Sequence, residues 1–237
     1  TVSENKLLDN QGCGILIEAG GCGTIKSNDV CDNAQCGVRI CGTGCDPLLE
    51  SNRIYRNAGG GVVVRCADAR GTLKDNDVWM NTSFGIRIEG GGADASGICA
   101  AKKSTAASAT GGKAASRNEP IITAFVGNNV REHKPGHGMI LTGIGVRPTM
   151  VGDRFTANTV GLEVSGAGCD PDCSGFILAN NVEGLVVTDY ATGSYHSGGV
   201  IQASIDCSLR ISRGADPIGS DLAIKDGCAL GVVCEDG

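Results

Sequence analysis

The chain contains 237 residues with a formal net charge of −6, and it combines 38 Gly and 13 Cys with six Pro and 3% aromatic residues. Its 41% hydrophobic content argues against global disorder, no run of about 18 uncharged apolar residues could span a membrane, and the mild acidity argues against a nucleic-acid binder. Abundant Gly with few aromatic residues indicates a core of small aliphatic side chains and many tight turns.

A repeated phrase opens the chain and starts at four Asn residues spaced 23, 24 and 24 positions apart: Asn5, Asn28, Asn52 and Asn76. In each copy an aliphatic residue follows two positions later, a second Asn five positions later, and a Gly nine positions later. The Gly leads an alternating aliphatic pair, and a further aliphatic residue stands three positions before the next copy. Each copy therefore predicts three short strands with one apolar face.

Three such strands cannot bury themselves alone, but they can if the chain coils and each strand pairs with its equivalent one coil later. The sequence thus predicts an all-β fold, a right-handed parallel β-helix. We expect a solenoid of about eight or nine coils of 23–27 residues, with three short strands per coil. Asn side chains of successive coils should hydrogen-bond in ladders, with left-handed backbone at the Asn and Gly corners.

The whole chain, residues 1–237, is interpreted as a single β-helix domain with an insertion at about 92–118. The insertion is rich in Ala, Ser, Gly and Lys, which favours a flexible surface loop, with a lysine-containing binding loop as the alternative. No amphipathic capping helix is visible at either end, and the first residue is not Met. We therefore expect a fragment of a longer protein, or ends that a partner covers.

The repeat returns after the insertion with substitutions. Asn128 begins a coil in which His133 takes the second Asn position, and further coils are expected from Asp153 and Asn180. Residues of about 184–221 give no clear register and are expected to form irregular coils. The last coil is expected to begin at Leu222, and its alternation points the Cys234 side chain inward as core filler.

One outward column of the expected β-helix is apolar. It lies three positions after each repeat Asn and consists of Leu8, Cys31, Tyr55 and Trp79. We call these four residues the aromatic stripe. A contiguous exposed apolar stripe usually marks a contact surface, so we expect these residues to bind a partner, unless another segment covers them.

A neighbouring outward column alternates in charge: Lys6, Asp29, Arg53 and Asp77. Cross-strand pairing favours such alternation between adjacent coils. We interpret this column as neutralisation of stacked charges in preference to a substrate groove.

Thirteen cysteines are an odd number, so they cannot all pair within the chain. Cys13 and Cys36 share one repeat offset and Cys22 and Cys45 share another, so each pair is expected at a distance that permits a disulfide. Zinc needs four convergent ligands, and only two can be assembled locally, in the C-x3-C of Cys169 and Cys173, so no metal or other cofactor is expected. We expect free thiols in an intracellular, reducing compartment, which is compatible with import into an organelle; secretion is the alternative.

A search for catalytic constellations gives none that is convincing. Glycosidases need facing carboxylates, yet the column of Asp9 and Asp32 continues with Arg56. His133 and His137 flank a Pro-Gly turn, which favours a turn variation over a ligand pair. No phosphate loop, nucleophile elbow or zinc-protease motif is present. No catalytic residue is assigned, and the expectation leans towards a protein that is not an enzyme.

A family resemblance is carried by three segments between Gly23 and Gly91: GTIKSNDVCDNAQCGVRI, DPLLESNRIYRNAGGGVVV and GTLKDNDVWMNTSFGIRI. They resemble β-helix repeats of the carbohydrate-binding and sugar-hydrolase (CASH) type in the pectin-lyase-like superfamily. The alternation of a D-P coil with a G-T coil looks most like the β-helical recognition region of F-box ubiquitin-ligase adaptors, and it is also similar to periplasmic copper-maturation β-helix proteins. The resemblance implies a scaffold that presents a long flat face to another protein.

These features predict a non-enzymatic β-helix scaffold or binding module that presents its face to a protein partner within a larger protein or complex. Several relatives implied by the resemblance are enzymes, so the alternative is a carbohydrate-active enzyme (a polysaccharide lyase, epimerase or hydrolase) acting on uronate-containing polymers. Carbohydrate therefore stays open as a ligand, whereas nucleic acid does not. A structural subunit that serves as a rigid spacer is a third class.

Overall fold

A computed structural model describes residues 1–65, 69–90, 123–226 and 229–235. In these ranges the chain forms short strands separated by turns, and the strands assemble into three parallel sheets of nine strands each. Successive strands belong to sheets A, B and C in turn, and each pairs with its equivalents in the coils before and after it. The insertion expected at about 92–118 lies outside the described residues.

The strands have the following bounds. Sheet A contains Val2–Ser3, Cys22–Lys26, Asp46–Glu50, Gly71–Lys74, Thr123–Val126, Thr149–Val151, Asp172–Ser174, Ser194–His196 and Ile218–Gly219. Sheet B contains Lys6–Leu8, Asp29–Cys31, Arg53–Tyr55, Asp77–Trp79, Asn129–Arg131, Arg154–Thr156, Ile177–Ala179, Gly199–Gln202 and Leu222–Lys225. Sheet C contains Ile15–Ile17, Val38–Cys41, Val62–Arg65, Phe84–Glu89, His137–Thr142, Val160–Ser165, Glu183–Thr188, Cys207–Ser212 and Leu230–Glu235.

The core fills the space that the three sheets enclose. In the early coils it consists of aliphatic side chains. Val30, for example, is paired in register with Ile54 of the next coil, and both are fully buried. Aliphatic side chains also fill most of the later coils, but the expectation missed four buried aromatic residues, all of which lie there: Phe125, Phe155, Phe176 and Tyr195. The core therefore changes in character along the solenoid.

Two ladders of polar side chains, buried in every coil after the first, connect the coils. The first ladder runs through Asn5, Asn28, Asn52, Asn76, Asn128 and Asp153, and the second runs through Asn10, Asn33, Asn57, Asn81, His133, Asn158 and Asn181. In the first, the backbone N and Nδ2 of Asn52 both donate to Asn76 Oδ1 at 3.0 Å, and Nδ2 also donates to the Ile25 carbonyl at 2.8 Å. The expected ladders are confirmed, and because each amide bonds to both neighbouring coils they hold the coils in register.

Left-handed backbone lies one residue before the ladder position, not at the Asn itself. The φ angle is +57° at Asp32, +53° at Arg56 and +54° at Ser51. The expectation that placed this conformation on the Asn was wrong. The Asn side chain has to point inward to reach both neighbouring coils, so the preceding residue makes the turn and points outward.

The repeat Gly is required for space and not for a positive φ. Gly37 has no positive φ, yet a Cβ there would lie 2.6 Å from Ile54 Cγ2, 2.8 Å from Asn57 Nδ2 and 2.9 Å from the Gly61 oxygen. The equivalent Gly85 is equally enclosed. The expectation of a positive φ at this corner was therefore wrong, because the constraint is close approach of core, ladder and next coil.

Residues 184–221, expected to be irregular, form coils in register with their neighbours. The strand Glu183–Thr188 pairs with Val160–Ser165 residue by residue. Phe176, not Asn180, occupies the coil-start position, because the strand after it is in register with the strand of the previous coil. Asn181 takes the place in the second ladder. Because Phe176 replaces the Asn of the repeat, the position of repeat Asn residues does not indicate the register of this coil.

The last coil begins at Leu222, as expected, since its strand pairs with Gly199–Gln202. Cys234 pairs with Ile211 at an inward position of sheet C, but it is exposed and is not core filler. No further coil among the described residues lies beyond it, so its side chain has no layer to pack against.

Replacing Gly37 with Ala tests the space requirement. We expect the free energy of unfolding to fall by about 1–3 kcal/mol, the usual cost of overpacking, as measured by urea unfolding followed by circular dichroism. Gly12→Ala is the matched control, because a Cβ at Gly12 would meet nothing within 4 Å. Equal unfolding midpoints for the two variants would contradict the assignment.

Asp153 ends the first ladder as a buried acid. Its Oδ1 accepts hydrogen bonds from N and Nδ2 of Asn128, both at 2.8 Å, while its Oδ2 has no partner. The corresponding Nδ2 of Asn128 donates to the Leu73 carbonyl one coil back at 2.8 Å. Burial raises the pKa of Asp153 to about 6, so the protonated acid can donate where the other ladder members use an amide.

The variant Asp153→Asn tests this assignment through pH. Because the folded pKa of about 6 lies above the ordinary value of 3.8, the stability that the neutral acid contributes is complete below pH 3.8 and is lost as the pH rises through 6. Asn stays neutral, so its free energy of unfolding should exceed that of the wild type at pH 8 by on the order of 3 kcal/mol.

Urea unfolding at both ends of this pH range measures the difference, which should close in acid. Asp46→Asn, at an exposed carboxylate on sheet A, is the control. A difference between Asp153→Asn and wild type that is the same in acid and in base would show that Asp153 is not the titrating group.

Candidate functional site

The four residues of the aromatic stripe occupy one column on the outer side of sheet B. Register places Leu8 beside Cys31, Cys31 beside Tyr55, and Tyr55 beside Trp79. The middle residue of each strand points into the core, so the next residue points outward. The column continues to Arg131 in the following coil, a residue that the same three-position count from the next repeat Asn also finds.

Tyr55 and Trp79 form a stacked pair. Their ring centroids are 4.3 Å apart and their planes differ by 11°. Neighbouring strands lie about 4.8 Å apart, so side chains in strict register are held at a stacking distance. Both residues are half-buried.

Three arginines surround the stacked rings. The guanidinium carbon of Arg131 lies 4.9 Å from the Trp79 centroid, that of Arg56 lies 4.8 Å from the Tyr55 centroid, and that of Arg53 lies 5.7 Å from both. These are cation–π distances. Since each ring has the other ring on one side and a guanidinium nearby, the pair presents mainly ring edges to solvent.

Each of these arginines is held by an aspartate; the sequence predicted charge pairing for Asp29 and Arg53 but not its place beside the rings. Arg56 donates to both carboxylate oxygens of Asp32, with Nε–Oδ1 at 2.8 Å and Nη2–Oδ2 at 2.5 Å. This hydrogen bonding lowers the pKa of Asp32. Arg53 pairs with Asp29 at 3.3 Å, and Arg131 pairs with Asp77 at 3.0 Å. The alternating charge column expected for this sheet thus supplies the Asp29–Arg53 pair and the aspartate that holds Arg131.

The stripe is not exposed along its whole length. Leu8 is 44% exposed, but Cys31 is only 5% exposed, so the thiol lies on the outer side of the sheet but the expectation that it is exposed was wrong. Cys31 lies beside Tyr55 and shares a side-chain hydrogen bond with it, and burial raises the pKa of the Cys31 thiol. The accessible part of the stripe consists of Leu8 and the edges of the two aromatic rings.

The two histidines considered as a ligand pair are separated by the fold. His133 is buried in the second ladder with Nδ1 at 2.9 Å from Asn158 Oδ1, and burial lowers its pKa to about 4. His137 lies on the outer side of sheet C, where its Nε2 is 2.8 Å from Glu163 Oε2. Among the residues that the structure describes, no group of three or more His, Cys, Asp and Glu side chains could hold a metal ion.

The two cysteine pairs differ in register. Cys13 and Cys36 lie on adjacent coils in the same small outward cluster, since Gly14 N donates to the Cys36 carbonyl at 3.1 Å. Cys22 pairs with Asp46 instead, and Cys45 is fully buried. The first pair therefore lies on adjacent coils as expected, whereas the shared offset expected for the second pair is wrong, because the coil has lengthened by one residue before that corner. All four are free thiols.

The regular secondary structure of the described ranges consists of β-strands. No helix in those ranges is long and apolar enough to cross a membrane.

Comparison with known families agrees with this architecture. A family model described as a right-handed beta helix region matches residues 1–98. Searches among curated proteins and among solved structures each returned no match, so the expected likeness to F-box adaptors has no support. The family model and the three parallel sheets together establish that the chain forms a right-handed parallel β-helix.

Proposed function

We propose that this β-helix is a binding scaffold and that sheet B binds a protein partner through the aromatic stripe and the arginines around it. The observation that carries the proposal is the half-buried Tyr55–Trp79 stack held among three arginines. Tyr, Trp and Arg are the residues most enriched among those that dominate binding energy at protein interfaces. The arginines are neutralised by their aspartate partners, so a bound protein can cover them without burying unpaired charges.

The geometry of the rings favours a protein over a sugar as the partner. A sugar ring stacks on an open aromatic face, whereas the faces of Tyr55 and Trp79 are directed at each other and at guanidinium groups. Ring edges and the exposed Leu8 suit contact with apolar side chains of a partner. The aspartates on this face also bind the arginines, which supports a binding role over hydrolysis by paired carboxylates.

Rigidity supports the same proposal. The stack and its ion pairs join successive coils that the amide ladders already hold in register, so little side-chain entropy is lost when a partner binds. A binding face that is already ordered can therefore use its contact energy for affinity.

The double variant Tyr55→Ser and Trp79→Ser should weaken partner binding by at least about 30-fold, the effect of losing an interface hot spot. A photo-crosslinking residue placed at Leu8 identifies the bound protein, and its affinity for each variant is then measured with purified components. Gln202→Ser is the matched control, because Gln202 lies in the same column four coils beyond Trp79.

Circular dichroism of both variants should match that of the wild type, since none of these side chains lies in the core. Unchanged affinity of the double variant would remove the stripe from the binding site. Release of unsaturated uronate products from pectate, alginate or glycosaminoglycans by the wild-type chain would instead replace the scaffold proposal with the lyase alternative.

A further inference from the structure

Three polar side chains meet on the outer side of sheet A, far from the aromatic stripe. The strands Asp172–Ser174 and Ser194–His196 are neighbours, and Asp172 and His196 are diagonal partners on them. The Nε2 of His196 lies 2.6 Å from Asp172 Oδ1, and its Nδ1 lies 2.7 Å from Ser197 Oγ. A hydroxyl, an imidazole and a carboxylate thus form a continuous hydrogen-bonded chain that the sequence search missed.

The corner that carries Ser197 contains an extra residue. In the coil before, one residue, Gly175 with φ +58°, stands between the strand of sheet A and the coil-start residue Phe176, and in the coil after, Asp221 is the left-handed residue, with φ +52°. Here Ser197 and Gly198 both have positive φ, at +54° and +80°. Ser197 is exposed on the outside of the corner, directly after His196.

The extra residue also releases a backbone donor. Gly198 N donates to the carbonyl of the next corner residue, Asp221, at 3.2 Å, whereas a single corner residue donates to the residue before the next corner, as Ser27 N does with the Glu50 carbonyl at 3.1 Å. The backbone N–H of Ser197 itself donates to no group in the part of the chain that the structure describes. An unused N–H on the same residue as the hydroxyl is suitably placed to stabilise an oxyanion that forms there.

The partners of His196 define its proton positions. A carboxylate only accepts hydrogen bonds, so Asp172 holds the proton of the neutral imidazole on Nε2. The lone pair of Nδ1 is then directed to the Ser197 hydroxyl, which donates to it. A nucleophile within hydrogen-bond reach of a base, which a third group orients, is the arrangement that activates serine hydroxyls.

We propose that Ser197 is an acyl-accepting nucleophile, with His196 as its general base and Asp172 as a positioning residue, and that the site acts on small carboxylic esters such as acetyl esters. The hydroxyl is exposed at the outside of a corner, where a compact, unhindered ester can reach it.

The reaction is an ordinary two-step acyl transfer. Ser197 Oγ attacks the ester carbonyl carbon while its proton moves to His196 Nδ1. The carbon–oxygen bond to the alcohol then breaks, and the leaving alcohol takes that proton. Water, deprotonated by the same Nδ1, attacks the acyl carbon; the bond from that carbon to Ser197 Oγ then breaks, Nδ1 returns the proton to Oγ, and the carboxylic acid leaves.

This site is separate from the proposed binding face. Trp79 lies in the fourth strand of sheet B, and His196 lies in the eighth strand of sheet A. Four coil spacings of about 4.8 Å place them about 19 Å apart along the solenoid axis. Failure of either proposal therefore leaves the other intact.

The test uses the full chain with an alkyl fluorophosphonate probe and with p-nitrophenyl acetate. We expect a covalent adduct on the peptide that contains Ser197, located by mass spectrometry, and an initial burst of p-nitrophenol. Ser197→Ala should remove both signals, and His196→Asn should slow acylation by about 100-fold or more, the usual contribution of a general base.

Two variants of Asp172 distinguish positioning from a structural role. The amide of Asp172→Asn can donate to Nε2, which moves the imidazole proton to Nδ1 and leaves no acceptor for the hydroxyl. We therefore expect Asp172→Asn to lower the acylation rate more than Asp172→Ala does, although Asn is the closer match in shape.

Two controls address surface reactivity. Ser27 occupies the corresponding corner with φ +54° but follows a lysine, and His137 is a histidine paired with a carboxylate that has no serine beside it. Ser27→Ala and His137→Asn should leave labelling and burst unchanged. Absence of an adduct on Ser197, or an equal burst from Ser197→Ala, would overturn the proposal.

Discussion

A side-chain amide buried between two coils must find its hydrogen-bond partners within the protein, and this requirement governs the whole molecule. Asn52 meets it by donating to the amide oxygen of the next coil and to a carbonyl of the previous one. A slip of one residue in any strand would leave several such groups unpaired, each at a cost of about 1–3 kcal/mol. The coils therefore share one register, and everything on the outer surface depends on it.

The stripe and the ion pairs around it are consequences of that register. Tyr55 stacks on Trp79 because equivalent positions lie directly above one another. Arg56 reaches Asp32 in the same way, although the two residues are 24 positions apart. Chemistry on a β-helix is thus assembled from residues that are distant in sequence but equal in offset, and a single substitution in one coil changes a column that several coils share.

Offset counting could predict the ladders, the inward columns and the alignment of the stripe, since these depend only on the period. It could not predict that Cys31 is covered, because its exposure depends on the ring of Tyr55 in the next coil. The role of the repeat Gly depends on distances to neighbouring coils, which periodicity does not contain. The sequence could not predict the corner at Ser197, because one added residue is recognised only once the strands on both sides of it are in register.

The first ladder also gives the solenoid a direction. Amides occupy it up to Asn128, Asp153 follows, and the coil after that has the buried ring of Phe176 in the equivalent position. In a linear array each coil is stabilised only by its neighbours, so the loss of one ladder changes what holds the later coils together. Two ladders of directional bonds join the early coils, whereas beyond Asp153 only the second ladder continues, to Asn181, and packing takes over at the first-ladder corner. Fraying and slow amide exchange should therefore be distributed unevenly, with protection concentrated in the early coils and opening events beginning in the late ones.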